Sequence, residues 1–289
     1  MKSTRGEKIF NMVNYLVLML LALSCLLPLI HVFAMSLSGA RAIASGEVGM
    51  WPIDITLDTY REVFKGTKIV QSFFNSVVIT SVGIVLSMLT TILAAYPLSK
   101  NSFYARRFFT LAMVFTMLFN GGIIPTFLVV KGLGLIDSYG ALWLPALVST
   151  YNMLIMRTYF EGIPAELEEA ARIDGCSEWR LLAQIVLPLS MPVLATLTLF
   201  YGVSYWNYFM SVLLYINSTD KYNMTVLVQQ MVQNQQLLNE LRSPEDTVQL
   251  VAEGVKAAAI VLMMIPMLVV YPFVQKFFVK GVMLGAVKG

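Results

Sequence analysis

Six apolar runs, at about 9–37, 73–96, 108–130, 141–156, 187–216 and 257–273, constrain this chain more than any other feature of it. A helix needs about 20 predominantly apolar residues to cross the hydrocarbon core of a bilayer. Composition points the same way: 57% of the 289 residues are hydrophobic and 13% charged, against about 45–50% and about 25% in a soluble domain. The runs therefore predict an all-α membrane protein of six transmembrane helices, built as a single domain over 1–289. The fourth run is close to the lower length limit for a span. The fifth opens on Pro188 and Pro192, so it is expected to kink or to begin as an interfacial segment. Lys2, Arg5 and Lys8 precede the first run in the manner of a signal peptide, but the run far exceeds the 7–15 residues of a signal core and no cleavage site ends it. It is expected to be a retained span.

Lys and Arg then set an expected orientation. With the N-terminus inside, Lys2, Arg5, Lys8, Lys100, Arg106, Arg107, Arg157, Arg172, Arg180, Lys276, Lys280 and Lys288 all fall on the cytoplasmic side, 12 of the 20 cations. The segment 97–107 between the second and third runs carries three of them and no acid. Both termini are thus expected in the cytoplasm. A net charge of +3 without a basic block gives no footprint for nucleic acid. Cys25 and Cys176 lie far apart in sequence, and His31 is the only histidine, so neither a disulfide framework nor a metal site is indicated.

None of the six runs contains Asp, Glu, Lys or Arg. Ion-coupled carriers and proton pumps generally need ionisable groups at membrane depth, which disfavours an ion-coupled or facilitative secondary sugar carrier, although a Na⁺ site made of carbonyls and hydroxyls would pass this test. A membrane-embedded enzyme should show a polar catalytic cluster, and no acid/base or nucleophile constellation stands out. A solute path would have to be lined by neutral groups: Asn75, Ser76, Asn120, Tyr151, Asn152, Ser204, Tyr205, Trp206, Asn207 and Tyr208. Tyr151, Asn152, Tyr205, Trp206 and Asn207 form the core of this set. Aromatic faces and amides suit hydroxyl-rich solutes. The same residue types also serve as interfacial anchors and as polar contacts between helices, so both roles stand.

Between the fourth and fifth runs lies a polar segment, 161–184, longer than a connection requires. Pro164 suits a first helical residue, Glu166, Glu168 and Glu169 complement the helix dipole, and Glu168 and Arg172 can pair at i,i+4. Gly175 is the expected left-handed stop, after which Ser177 can cap a second short helix over 178–186. Leu167, Ala170, Ala171 and Asp174 share one face. An acidic, alanine-lined helix is unlike the basic amphipathic helices that lie on membranes, and favours docking into a partner protein.

The spacing Glu169-Ala170-Ala171, three residues, Gly175, nine residues, Ile185, one residue, Leu187-Pro188 is similar, without a gap, to the EAA motif of ABC importer permeases. Glu168-Glu169-Ala170-Ala171-Arg172-Ile173-Asp174-Gly175 resembles the carbohydrate-uptake branch. Asn120-Gly121-Gly122-Ile123-Ile124-Pro125-Thr126, Gly134-Leu135-Ile136-Asp137-Ser138 and the ending 278–289 resemble the maltose-type second permease, near the subgroup of lipoprotein-dependent importers of polysaccharide fragments. The likeness runs over essentially the whole chain. It implies a type I importer permease fold in a bacterial inner membrane, paired with a second, homologous permease, two ATPase subunits and an extracytoplasmic, lipid-anchored solute-binding protein that delivers an oligosaccharide. It also implies that Glu169, Ala170, Ala171, Asp174, Gly175, Leu187 and Pro188 transmit ATP-driven closure of the ATPases to the permease. The outer segment 217–256, with Asn217, Asp220, Gln229, Gln230, Gln233 and Gln235, resembles the loop that probes the binding protein's cleft. The tail 285–289 resembles one that reaches the ATPases. No Gly-x-x-x-x-Gly-Lys-Ser/Thr loop occurs, so ATP and Mg are expected on the partner ATPases, and no cofactor on this chain.

Overall fold

The computed structural model describes the backbone of residues 5–241 and 249–286 and the side chains of 6–233 and 253–272. Every regular element among the described residues is helical. The chain divides into two compact units, Met1–Ile69 with Val228–Ile265, and Val70–Leu227 with Pro266–Gly289.

In the first unit, α1 (Arg5–Ser36) is followed by α2 (Ala40–Ala44) and α3 (Asp58–Gly66). Residues 6–31 of α1 are all exposed, as befits a helix whose solvent is lipid, whereas Ala34 and Ser36 in its last turns are buried. Its last turn is pinned by short polar contacts. Ser38 Oγ donates to Ala34 O at 2.7 Å and accepts from Ile53 N at 3.1 Å, while Tyr60 donates to Ser36 Oγ at 2.9 Å. Ala34, Ala42, Ile43 and Val48 form a small core beneath these bonds.

The second unit is organised by α4 (Ile69–Ser99), which at 1.5 Å per residue is about 46 Å long, more than enough to cross a bilayer. One face of α4 carries small and hydroxyl residues at helical spacing. Ser76 Oγ accepts from Met224 N at 2.8 Å, Ile79 O accepts from Trp143 Nε1 at 3.0 Å, and Thr90 Oγ1 donates to Leu147 O at 2.8 Å. Ser87 and Thr91 bond the Tyr205 and Tyr201 hydroxyls at 2.8 and 2.7 Å. At Gly83 an added Cβ would stand 2.7 Å from the Tyr205 ring. Apolar contact gives helices in lipid no preference for one another, so small residues and hydroxyl bonds hold the seam.

Among the described residues, three helical stretches are long and apolar enough to cross a membrane, Gly6–Ser36, Ile69–Ser99 and Glu253–Pro272, or five if each of two bent pairs counts as one. The last belongs to the long terminal helix Gln249–Ala286. Two of the six expected runs are interrupted within the apolar sequence. In the third run, α5 (Arg106–Leu118) and α6 (Ile123–Gly132) meet at 114°. Asn120 Oδ1 accepts from Gly122 N at 2.9 Å, and Gly122 has a φ of +87° that side chains rarely adopt, so the chain turns sharply there. The fourth run is broken into α7 (Gly140–Trp143), a 3₁₀ turn (Leu144–Ala146) carrying Pro145, and α8 (Thr150–Glu161). Ser149 caps α8 by accepting from Asn152 N at 3.4 Å. The kink expected in the fifth run is present. Its halves, Glu178–Leu189 and Met191–Trp206, bend by 82° across Ser190, between Pro188 and Pro192.

Candidate functional site

Three local structures in the second unit bear on function. The first is a cavity of about 390 Å³ between the start of α8 and the end of α12 (Met191–Trp206). The break within the fourth run places Ser149, Tyr151 and Asn152 at its wall, together with Tyr201, Ser204, Tyr205 and Tyr208. Tyr205 and Tyr208 stand with ring centroids 5.0 Å apart. The hydroxyls of Tyr201 and Tyr205 are engaged by α4, which fixes their rings and leaves the faces as lining. Of the ten expected path residues, Tyr151, Asn152, Ser204, Tyr205 and Tyr208 therefore come together. Trp206 and Asn207 do not line this cavity: Trp206 is buried, edge-on to Phe73 at 6.2 Å, and Asn207 folds back to bond Val203 O at 2.9 Å. Asn75 and Ser76 are occupied elsewhere, Asn75 Nδ2 donating to Asp220 O and Tyr222 O at 2.7 and 2.9 Å.

The second is a clamp around Asp137, between α6 and α7. Asp137 takes the left-handed conformation, φ +60°, and its Oδ1 accepts from the amides of Asn217 and Ser218 at 3.0 and 2.9 Å. Its Oδ2 accepts from Ser218 Oγ at 2.6 Å and Lys221 Nζ at 2.9 Å. The Ser218 hydroxyl and amide, then the Lys221 ammonium, hold this carboxyl well below the usual carboxylate range. The Gly134–Ser138 stretch entered the sequence comparison only as a family likeness; an aspartate in a turn gave no sign of partners some 80 positions away. In the outer segment 217–256, a 3₁₀ turn (Thr219–Lys221) leads into α14 (Met224–Leu241). That helix carries Gln229, Gln230 and Gln233; residues 242–248 lie outside the described residues, as do the side chain of Gln235 and the tail end 287–289.

The third is the EAA segment. Here α9 (Ala165–Ile173) begins one residue later than expected, with Pro164 in extended backbone before it. It ends as Gly175 suggests. Gly175 has φ +76°, its N–H bonds Arg172 O at 3.0 Å, and Cys176 N–H bonds Ala171 O at 2.9 Å, the paired bonds of a Schellman stop. Then α10 (Glu178–Leu181) runs through a π turn (Leu182–Val186) into Leu187–Leu189. Ser177 stands at the start of α10 without a side-chain capping bond. The expected Glu168–Arg172 pair is replaced by longer-range partners. Glu168 pairs with Lys100 at the end of α4, and Arg172 with Glu178 at 2.7 Å. Glu178 also accepts from Tyr96 OH at 2.9 Å, and Lys100 Nζ lies 4.7 Å over the Tyr96 ring. Ala171 is buried in the unit's own core together with Leu181 and Leu182, and Leu187 packs against it. Glu169, Ala170, Asp174, Gly175 and Pro188 remain exposed. Two residues given no role of their own in the sequence stand out at the surface of this segment: Ile173 is 86% exposed and Trp179 71%. Large apolar side chains inside an otherwise polar segment were the available signal.

Residues 79–284 match the family described as "binding-protein-dependent transport system inner membrane component". The chain is 43% identical to the polygalacturonan/rhamnogalacturonan transport system permease protein YtcP of Bacillus subtilis (strain 168), over 98% of this chain and 99% of that protein. It is 40% identical to the protein LplC of the same strain, over 100% and 98%. Among solved structures, a chain from a bacterial ABC transporter involved in the import of the acidic polysaccharide alginate superposes with a TM-score of 0.86 at 34% identity, covering 96% of this chain and 99% of that one. The chain thus belongs to the inner-membrane permease family of binding-protein-dependent ABC transport systems. It is a non-catalytic permease subunit, with ATP hydrolysis assigned in such systems to a separate subunit.

Proposed function

We propose that this chain is one half of the membrane channel of an ATP-driven oligosaccharide importer, paired with a second, homologous permease and served by a lipid-anchored binding protein outside the membrane. Two ATPase subunits dock on 161–186 and bind all the ATP and Mg, this chain binding none. The observation that carries this is the exposed apolar surface of Ile173 and Trp179 on either side of the Gly175 turn. Lone exposed apolar residues are unremarkable, but a pair flanking a rigid turn in a segment braced by ion pairs has the form of a docking knob. On it Glu169 and Asp174 offer charge, Ala170 permits close approach, Ala171 seats the helix on its own unit, and Leu187-Pro188 passes motion into α12. Both termini lie in the cytoplasm, an orientation supported by the distribution of Lys and Arg. Sugars as cargo are supported by the polysaccharide transport named for the relatives and by the neutral, aromatic cavity.

The test is reconstitution with and without each partner. Labelled oligosaccharide should enter only when the binding protein, both permeases, the ATPases and ATP are all present. Accumulation by this chain alone, or driven by an ion gradient, would show a secondary carrier instead.

A further inference from the structure

The chain does not leave α1 directly for water; it folds back along the helix it has just completed. His31, the only histidine of the chain, donates from Nδ1 to Gly49 O at 2.8 Å. Gly49 therefore lies beside α1 at the level of His31, about 7.5 Å short of the helix end at Ser36. The chain on the far side of this tip is fastened to the end of α1. Thr56 N–H bonds Leu37 O at 2.9 Å, Ile53 N–H bonds Ser38 Oγ at 3.1 Å and Gly39 N–H bonds Ile53 O at 3.0 Å. Left-handed turns at Gly46 and Asp54, φ +70° and +51°, bracket the tip, and Val48 is buried in the same small core as Ala34. On this clamped loop Trp51 is 81% exposed, and Met50, Ile55 and Leu57 are each more than half exposed.

From Lys8 to His31, α1 rises about 35 Å, just over the thickness of a hydrocarbon core, about 30 Å. With Arg5 and Lys8 at one membrane surface, His31 and the loop tip bonded to it fall at the opposite surface, where acyl chains give way to headgroups. We infer that the loop 46–57 is an interfacial anchor whose partner is the lipid surface itself, with Met50 and Trp51 seated among the headgroups and the first acyl carbons. Single exposed apolar residues need no partner. Here four stand on one rigid loop that turns back toward the span and continues the lipid-facing surface of α1. A soluble partner protein would have to reach Trp51 at that depth. Indole suits the place, since its ring enters the apolar boundary while its N–H meets an ester or phosphate oxygen. The recognition is apolar and not ionic, because the only charged residues of the loop, Glu47 and Asp54, are acids that anionic headgroups would repel. Held by Trp51 at one end and by Arg5 and Lys8 at the other, α1 keeps one depth and tilt.

The test compares the complete importer with its Trp51→Phe variant in vesicles of phosphatidylcholine brominated near the ester end of its acyl chains. The emission that Trp51→Phe removes should be lost from the wild type in brominated vesicles relative to unbrominated ones, and should persist in aqueous iodide. Adding the binding protein proposed above should leave both readings unchanged. As a second measurement, Met50→Cys, with Cys25 and Cys176 replaced by Ser, should carry a nitroxide more accessible to oxygen than to a water-soluble nickel chelate. Quenching of the difference emission by iodide but not by bromine, or a nitroxide more accessible to the nickel chelate, would overturn the anchor and place the loop in water. Protection from iodide that arises only on adding the binding protein would replace the lipid with a protein partner.

Discussion

The Asp137 clamp and the EAA segment are both built on carboxylates outside the long apolar helices, yet they use their polar groups in opposite ways. At Asp137 both carboxylate oxygens are turned inward, onto two amides, a hydroxyl and an ammonium. In the EAA segment Glu168 is drawn inward onto Lys100 and Glu178, itself exposed, bonds Tyr96 and Arg172, so that the two brace α9 and α10, while Glu169, Asp174, Ile173 and Trp179 face outward. A closed cluster of this kind fixes a loop. A braced but outward-facing one presents a surface. The difference teaches that in this fold a carboxylate's role follows from its partners and not from the acidity of its segment.

Breaking the outward-facing region should have the larger consequences. Gly175→Val puts a β-branched side chain at φ +76°, where strain of about 1–3 kcal/mol is expected with nothing within 4 Å of the added Cβ to clash. The protein should still insert, and transport should be abolished; normal uptake by this variant would sink the coupling assignment. Next in size, Ile173→Asp combined with Trp179→Ala should leave the permease's melting temperature nearly unchanged, because both side chains are exposed, while the ATPase subunits no longer co-purify. Retention of the ATPases would remove the docking knob. A smaller effect is expected from Lys100→Glu, which sets two acids together at Glu168; adding Glu168→Lys should restore much of the loss in uptake, as coupling in a double-mutant cycle requires.

The inward-facing cluster should respond in stability instead. Asp137→Asn should lower the melting temperature of the purified importer without changing ATPase co-purification. The pH dependence sharpens the contrast. The folded-state pKa of Asp137 is depressed, so the clamp's contribution is complete above the unfolded value of about 3.9 and is lost as pH falls below it. The gap in melting temperature between wild type and Asp137→Asn should therefore be flat from about pH 5 to about pH 8 and close below about pH 4. A gap that varied instead around neutral pH would assign the stabilisation to another group.

Much of this fold was legible because lipid and water enforce simple rules. The long runs at 9–37 and 73–96 became single helices, Gly175 became a left-handed stop, and Pro188 and Pro192 marked a bend. What escaped were events decided by a few local bonds inside apolar sequence. Hydropathy reads Asn120 and Gly122 as small interruptions, but the Asn120 side chain on the Gly122 amide turns the chain by 114°. Likewise Ser149 capping α8 converts an apolar run into a cavity wall. Of the five residues at the core of the expected solute path, three meet there, while Trp206 packs inward and Asn207 bonds its own helix. Adjacent residues on a helix point about 100° apart, so a cluster contiguous in sequence cannot all face one space. Glu168–Lys100 and Arg172–Glu178 were hidden for another reason: i,i+4 spacing reveals only partners on the same helix.

The polar seam of α4 has one more consequence, because its ends are fastened as firmly as its middle. Near one end Asn75 and Ser76 bond residues 220, 222 and 224; near the other Tyr96 and Lys100 hold Glu178 and Glu168. Some 20 helical residues, about 30 Å, separate the two fastenings. An α-helix resists stretching and compression along its axis far better than a loop does, so α4 behaves as a connecting rod. A pull applied at α9 and α10 reaches the segment that opens α14 with little lost on the way, and no signal has to thread through the cavity between them.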